Sequence, residues 1–127
     1  ISDQYPSILF QVFEESKEAF GCTAGGVERF YLNHEGEVSP CEFLNISYGN
    51  VKEEPFLDIF KRMRKDFEKP GCSWLCCSEA HSIGQCLKDK NLAKTPIPKE
   101  HSIELVKSWN MGEETKLYKD IKIYQKK

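Results

Sequence analysis

The chain has 127 residues, a formal net charge of −2 and 39% hydrophobic residues, which is enough for one modest domain with a small core. Nearly balanced charge provides no basic surface for nucleic acid, and no apolar run approaches the roughly 18 residues of a membrane span. We therefore expect no nucleic-acid or membrane partner. Without a signal-peptide pattern we expect a cytoplasmic protein, and the first residue, Ile1, suggests a piece of a longer one.

The N-terminal sequence predicts a helix over residues 5–20, with a partial apolar stripe on one side and acidic residues on the other. Gly21 ends this helix immediately before the first cysteine. Residues 1–21 are therefore interpreted as a helical lead-in to the rest of the chain.

A β-hairpin is predicted next. In residues 29–33 the apolar Phe30 and Leu32 alternate with their neighbours, as in a half-buried strand. The turn that follows contains Gly36, where a positive φ is expected. The return strand reaches Pro40, which cannot donate to a ladder, so the strand ends there or lies at an edge.

The clearest helix is predicted to begin at Pro55 and to end before Pro70. Its apolar face has helical spacing and consists of Phe56, Phe60, Met63 and Phe67, with Leu57 and Ile59 flanking it. Downstream, the sequence predicts a linker at 96–98, a short helix over 100–109 and a strand at 121–123.

Six cysteines are the chemical signature of the chain: Cys22, Cys41, Cys72, Cys76, Cys77 and Cys86. Four of them lie within fifteen residues and two are adjacent, which favours a ligand cluster over loop-closing disulfides. Soft metals prefer four thiolates, and such a set suits both zinc and iron–sulfur clusters.

The hairpin brings one ligand pair together, Cys22 and Cys41. The second pair is Cys72 with either Cys76 or Cys77, because the side chains of adjacent cysteines diverge and rarely bind the same ion.

Cys86 is then expected to belong to a second, incomplete metal site, completed by His81 or by residues outside this chain.

Other functions of the cysteines, as a catalytic nucleophile or a redox pair, have little support. Cys77 with His81 lacks an oxyanion hole and an orienting carboxylate, and no Cys-x-x-Cys pair is present. No catalytic residue is assigned. A structural zinc module and a disulfide-stapled interaction domain are the alternatives to an iron–sulfur protein.

The hairpin also resembles a known family. Cys22, thirteen residues, Gly36, four residues and Cys41 are similar to the opening signature of the SPASM and twitch domains, the auxiliary-cluster extensions of radical S-adenosylmethionine (radical SAM) enzymes. FYLNHEGEVSPCEF resembles the hairpin of that family, and YGNV followed by EPFLDIF resembles its Gly-Asn turn and next helix. The resemblance covers roughly residues 20–87.

This resemblance implies an α+β fold in which a small hairpin and flanking helices surround a cysteine-ligated cluster. It implies three parts: residues 1–21 as the lead-in from a missing catalytic domain, 22–87 as the cluster domain and 88–127 as an extension. In the family, one or two auxiliary clusters, usually four-iron, lie beside the active site of a partial β/α barrel. They bind substrate, relay electrons or support structure. The implied partners are a missing N-terminal radical SAM barrel and a peptide or small-molecule substrate.

The departures from the family pattern are informative. The barrel motif Cys-x₃-Cys-x₂-Cys is absent, since Glu79 stands where its third cysteine is required, so this chain does not generate the radical itself. The later window reads Cys-x₃-Cys-Cys-x₈-Cys and not the full SPASM pattern, which favours a twitch-like domain with one cluster. The expected cofactor is a [4Fe–4S] cluster, with zinc as the alternative. Its expected ligands are Cys22, Cys41, Cys72 and Cys76, with Cys77 and Cys86 as further candidates.

Overall fold

The computed structural model describes residues 20–69 and 71–125, and these fold as an α+β domain. Its two short strands are β1 (Tyr31–Leu32) and β2 (Val38–Ser39), which pair antiparallel. Its helices are α1 (Phe56–Asp66), α2 (Leu75–Ser78), α3 (Ala80–Asp89), α4 (Lys99–Lys107) and α5 (Lys116–Gln125). The predicted α+β class is confirmed. Apart from Phe20, the helix predicted over 5–20 lies outside the described residues. No helix within them is long and apolar enough to cross a membrane.

The hairpin turn has the glycine geometry that the sequence predicts. The side-chain oxygen of Asn33 accepts hydrogen bonds from the backbone N–H groups of Glu35 and Glu37, both at 2.9 Å. Gly36 has a φ of +90°, and a β-carbon there would lie 2.7 Å from the side-chain oxygen of Asn50. Both the backbone conformation and the close approach therefore favour glycine.

The burial of the hairpin differs from the prediction. Phe30 is 44% exposed and Leu32 is 49% exposed, so the expected half-buried first strand is wrong. The buried arm is β2, because it lies between β1 and the backbone of residues 48–51. Val38 donates to the carbonyl of Gly49 at 2.9 Å and accepts from the N–H of Tyr48 at 2.8 Å. β1 pairs with a strand on one side only within the described residues, and its side chains, Tyr31 and Leu32, are 44% and 49% exposed.

Helix α1 is rotated relative to its predicted apolar face. The fully buried side chains are Ile59 and Met63, and Phe67, which caps the C-terminus, is 4% exposed. Phe56 lies at the margin, 38% exposed, with its ring centroid 5.2 Å from that of Phe30. The aromatic edge of the helix therefore covers the hairpin, while the aliphatic face fills the core.

The predicted linker at 96–98 is wrong, because Ile97 is fully buried. Ile97 forms a parallel bridge with Ile46. Its N–H donates to the carbonyl of Asn45 at 2.8 Å, and its carbonyl accepts from Ser47 at 3.0 Å. The prolines on either side hold an extended segment that docks on the domain.

One core joins the hairpin region, the cysteine-bearing helices and the C-terminal region. Its largest members are Val38, Leu44, Ile46, Tyr48, Ile59, Met63, Phe67, Leu75, Ile83, Ile97, Val106 and Trp109. Three of these follow residue 88, where the sequence suggested a separate extension. The division of the chain at that residue stays a prediction.

The predicted strand at 121–123 is wrong, since these residues lie within helix α5. Three alternating residues are too short a pattern to outweigh helical contacts over the whole segment. Lys116 pairs with Asp120 one turn later, with 2.5 Å between Nζ and the carboxylate, and Lys122 donates to Glu114 at 2.8 Å. The Lys116–Asp120 pair, at positions i and i+4, supports a helix, whereas Glu114 precedes the helix.

Replacement of Met63 tests the revised core. Met63→Ala is expected to lower the free energy of unfolding by about 2–5 kcal/mol, because it leaves a cavity in a fully buried site. Leu57→Ala on the same helix is the matched control. Leu57 is 57% exposed, and its loss is expected to cost within about 0.5 kcal/mol. Equal losses in urea unfolding would contradict the assigned orientation of α1.

Glu54 gives the fold a specific dependence on acid. Its carboxylate accepts hydrogen bonds from Arg62 at 2.5 Å and from Lys99 at 3.1 Å, which joins α1 to α4. The Arg62 hydrogen bond is the main reason that the pKa of Glu54 falls from 4.5 to about 2. The stabilisation is therefore complete above pH 4.5 and is lost as the pH falls towards 2.

Glu54→Gln removes this titration, so the free energy of unfolding is expected to fall less steeply with acid over that range than in the wild type. Urea unfolding at a series of pH values measures both slopes. Identical slopes would show that Glu54 does not titrate in this way.

Candidate metal centre

Three cysteines that are distant in sequence line one cavity. Cys22, Cys41 and Cys76 border a volume of about 120 Å³. The rest of its lining is Gly21, Thr23, Ala24, Arg29, Phe43 and Trp74. The cavity therefore joins the two hairpin cysteines to one cysteine of the later window.

A backbone crossing at Gly71 brings these parts together. The N–H of Cys22 donates to the carbonyl of Gly71 at 2.9 Å in an antiparallel bridge, and Gly71 also bridges to Glu114. A β-carbon on Gly71 would lie 1.6 Å from the carbonyl oxygen of Met111. Only glycine leaves room for three segments to meet at this point.

Cys41 is the most buried of the six cysteines, at 7% exposure. It follows Pro40, and β2 ends before that proline, as predicted. Its thiol donates to the carboxylate of Glu42 at 3.3 Å. Burial raises the pKa of the Cys41 thiol to about 11, so without metal the group is a neutral thiol.

Cys76 and Cys77 are adjacent on the short helix α2 but differ in surroundings. Cys76 borders the cavity, whereas Cys77 is exposed. Their sulfur atoms are 4.0 Å apart. Burial, followed by the neighbouring Cys77 and Cys22 thiols, raises the pKa of the Cys76 thiol.

Cys72 is absent from the lining of the cavity. Because Gly71 is the residue opposite Cys22, strand alternation directs the next side chain to the other face. A β-carbon on Gly112 would accordingly lie 2.9 Å from the Cys72 sulfur. The backbone N–H of Cys72 donates to the carbonyl of Glu113 at 2.9 Å. The predicted role of Cys72 as a ligand stays a prediction.

Cys86 lies on α3 and borders a separate groove of about 480 Å³ between α3 and α4. His81 and His101 border the same groove. Within residues 20–69 and 71–125, no three His, Cys, Asp or Glu side chains are grouped closely enough to hold one metal ion, which applies both to this groove and to the cavity lined by Cys22, Cys41 and Cys76. A second site at Cys86 also stays a prediction.

Three residues of the cavity were missed by the sequence analysis: Arg29, Phe43 and Trp74. The sequence places Arg29 only at the start of the predicted first strand, residues 29–33. Its guanidinium lies 4.0 Å from the carboxylate of Glu42, the residue after Cys41. The available signal was proximity in sequence, since Phe43 and Trp74 each lie two residues from a cysteine of the cavity.

A surface cavity lined by three thiols beside a glycine-turn hairpin has the donor atoms that soft metals and metal clusters prefer. The sequence model of the SPASM family, described as an iron–sulfur cluster-binding domain, matches residues 22–86. The match runs from the first cysteine to the last and covers just over half of the chain. The chain belongs to the SPASM family. Membership confirms the predicted family and its cofactor, a [4Fe–4S] cluster.

Two curated relatives are AdoMet-dependent heme synthases. The protein of Oleidesulfovibrio alaskensis is 27% identical over 88 residues, which cover 61% of this chain and 22% of the relative. The protein of Nitratidesulfovibrio vulgaris is 38% identical over 42 residues, which cover 33% of this chain and 11% of the relative. The chain thus matches about a fifth or less of the length of these relatives. No solved structure gives a significant match to this chain.

The thiol environments predict an order of alkylation in the metal-free protein. Because the thiolate is the reactive form, a pKa raised from 9 to about 11 reduces the reactive fraction of Cys41 roughly a hundredfold near neutral pH. Cys41 is therefore expected to react slowest with iodoacetamide, and the exposed Cys77 fastest. Peptide mapping over time measures the order. Rapid labelling of Cys41 in folded protein would contradict the geometry of the cavity.

Proposed function

We propose that this chain is an auxiliary cluster-binding domain of a radical SAM enzyme, which holds one [4Fe–4S] cluster for electron transfer or substrate anchoring. The observation that carries the proposal is the convergence of Cys22, Cys41 and Cys76 on one cavity in a member of the SPASM family. The absence of a Cys-x₃-Cys-x₂-Cys motif from the sequence fits an auxiliary role, in which another domain generates the radical.

The proposed ligands are Cys22, Cys41 and Cys76, with Cys72 as the fourth. Cys72 follows Gly71, whose carbonyl bonds to Cys22, so its backbone is next to the cavity although its side chain faces Gly112. Ligation by Cys72 requires this side chain to turn. Cys77 is the rival for the fourth position, because its sulfur is 4.0 Å from that of Cys76.

When bound, the cluster supplies one-electron redox chemistry. The chain supplies thiolates, and Cys41 must release the proton that it donates to Glu42 before it can act as a ligand. Phe43 and Trp74 are 64% and 37% exposed where they border the cavity. They form an apolar rim at the cavity. When the rest of the enzyme or a substrate packs against this rim, water is excluded from the cavity.

The proposed partner is the radical SAM barrel, supplied by a domain N-terminal to this one. Both curated relatives are heme synthases, so among small molecules a tetrapyrrole is the first substrate to test. A peptide substrate is the second candidate, because the family resemblance implies both classes. Binding of each to the complete enzyme distinguishes them.

Cysteine replacement tests the ligand set. After anaerobic reconstitution of the 127-residue chain, iron and sulfide are measured per chain, together with visible absorption. Cys41→Ser is expected to lose most of the bound iron and sulfide, because it removes a buried ligand. Cys86→Ser is the matched control and is expected to retain both, because Cys86 borders the other groove.

The fourth ligand is decided by comparing Cys72→Ser with Cys77→Ser. Loss of iron from the first variant alone supports Cys72, and loss from the second alone assigns Cys77. Far-UV circular dichroism checks that each variant is folded. Full iron and sulfide in both Cys22→Ser and Cys41→Ser would overturn the proposed site. A colourless wild type with one zinc and no sulfide would support a structural zinc module.

A further inference from the structure

Arg29 occupies a distinctive position in the cavity. Of the described residues that line it, Arg29 alone has a side chain with a permanent positive charge. The rest of the lining consists of thiols, small residues and two aromatic rings. The Arg29 side chain is 25% exposed, so solvent screens its charge only in part.

Glu42 connects this cation to a proposed ligand. One carboxylate oxygen lies 4.0 Å from the Arg29 guanidinium, and the other accepts the Cys41 thiol hydrogen at 3.3 Å. Glu42 is more exposed than Arg29, with 44% of its side chain accessible. A positive side chain of the cavity lining, Arg29, therefore lies beside a negative one, Glu42, that is hydrogen-bonded to a thiol of the same lining.

Cluster binding would change the charge that Arg29 and Glu42 face. Once Cys41 binds iron as a thiolate, it no longer donates to Glu42, and the carboxylate faces a negatively charged centre. An iron–sulfur cluster with four thiolate ligands has a net negative charge, which becomes more negative by one unit on reduction. A nearby cation stabilises the reduced state and a nearby carboxylate destabilises it.

We propose that Arg29 and Glu42 set the reduction potential of the bound cluster in opposite directions, with Arg29 raising it and Glu42 lowering it. This inference rests on the proposed function, since it requires the cluster. Arg29 is a positioning and tuning residue and supplies no ligand. Its charge offsets both the cluster and the Glu42 carboxylate, so the cluster accepts an electron more readily than it would in a neutral cavity.

The test is an anaerobic potentiometric titration of the reconstituted full chain with dithionite as the reductant, followed by visible absorption and electron paramagnetic resonance. Arg29→Gln is expected to shift the midpoint potential to a more negative value, and Glu42→Gln to a more positive one. Arg29→Lys keeps the charge and is expected to remain near the wild type. Lys61→Gln, which removes an exposed cation from α1, is the control and is expected to cause no shift. Added salt should reduce the shifts of Arg29→Gln and Glu42→Gln.

An unchanged midpoint in Arg29→Gln, or shifts of the same sign in Arg29→Gln and Glu42→Gln, would overturn the inference. Shifts of the same sign would mean that the variants act by loosening the site and not through charge. If Arg29→Gln takes up no cluster, Glu42→Gln and Arg29→Lys still decide the matter, because a purely structural role predicts no positive shift in the former. A wild-type chain without iron and sulfide would instead refute the proposed function.

Discussion

The hydrogen bond from the N–H of Cys22 to the carbonyl of Gly71 is the interaction on which the site depends. It joins the entrance of the hairpin to the segment that leads into the later cysteines, 49 positions along the chain. Since Gly71 has no side chain, the carbonyl of Met111 can also approach it. One crossing thus fixes the distance between cysteines that no local element could hold together, and the cavity forms beside it.

Around this crossing, two kinds of stabilisation have separate roles. The core, with Ile59 and Met63 at its centre, fixes helix α1 against the hairpin. The cavity holds the Cys41 and Cys76 thiols in their neutral form, because burial raises the pKa of both. In the proposed site, ligation would convert these groups to thiolates, so metal binding would be coupled to proton release and to the stability of the fold. The same groups therefore serve the fold and the chemistry.

The features that were predictable from the sequence are those set by neighbouring residues. The Gly36 turn, the end of β2 before Pro40 and the existence of α1 each follow from local conformational preferences. The failures concern contacts between distant segments. Ile97 lies between two prolines and looks like part of a linker, yet its burial depends on docking against residues 45–47. Likewise, no local sequence pattern reveals that the crossing at Gly71 turns the side chain of Cys72 away from the cavity.

The openness of the cavity bears on the choice between an iron–sulfur module and a structural zinc site. A structural zinc site is closed by its own four ligands and needs no access from outside. Here the lining includes Phe43, which is 64% exposed, and a cation, Arg29, that is not required to hold a metal. An exposed apolar rim favours a metal centre that contacts another molecule. A charged side chain in the cavity lining has its largest effect on a metal centre whose own charge changes. Both features fit electron transfer at an interface better than a role confined to holding the fold together.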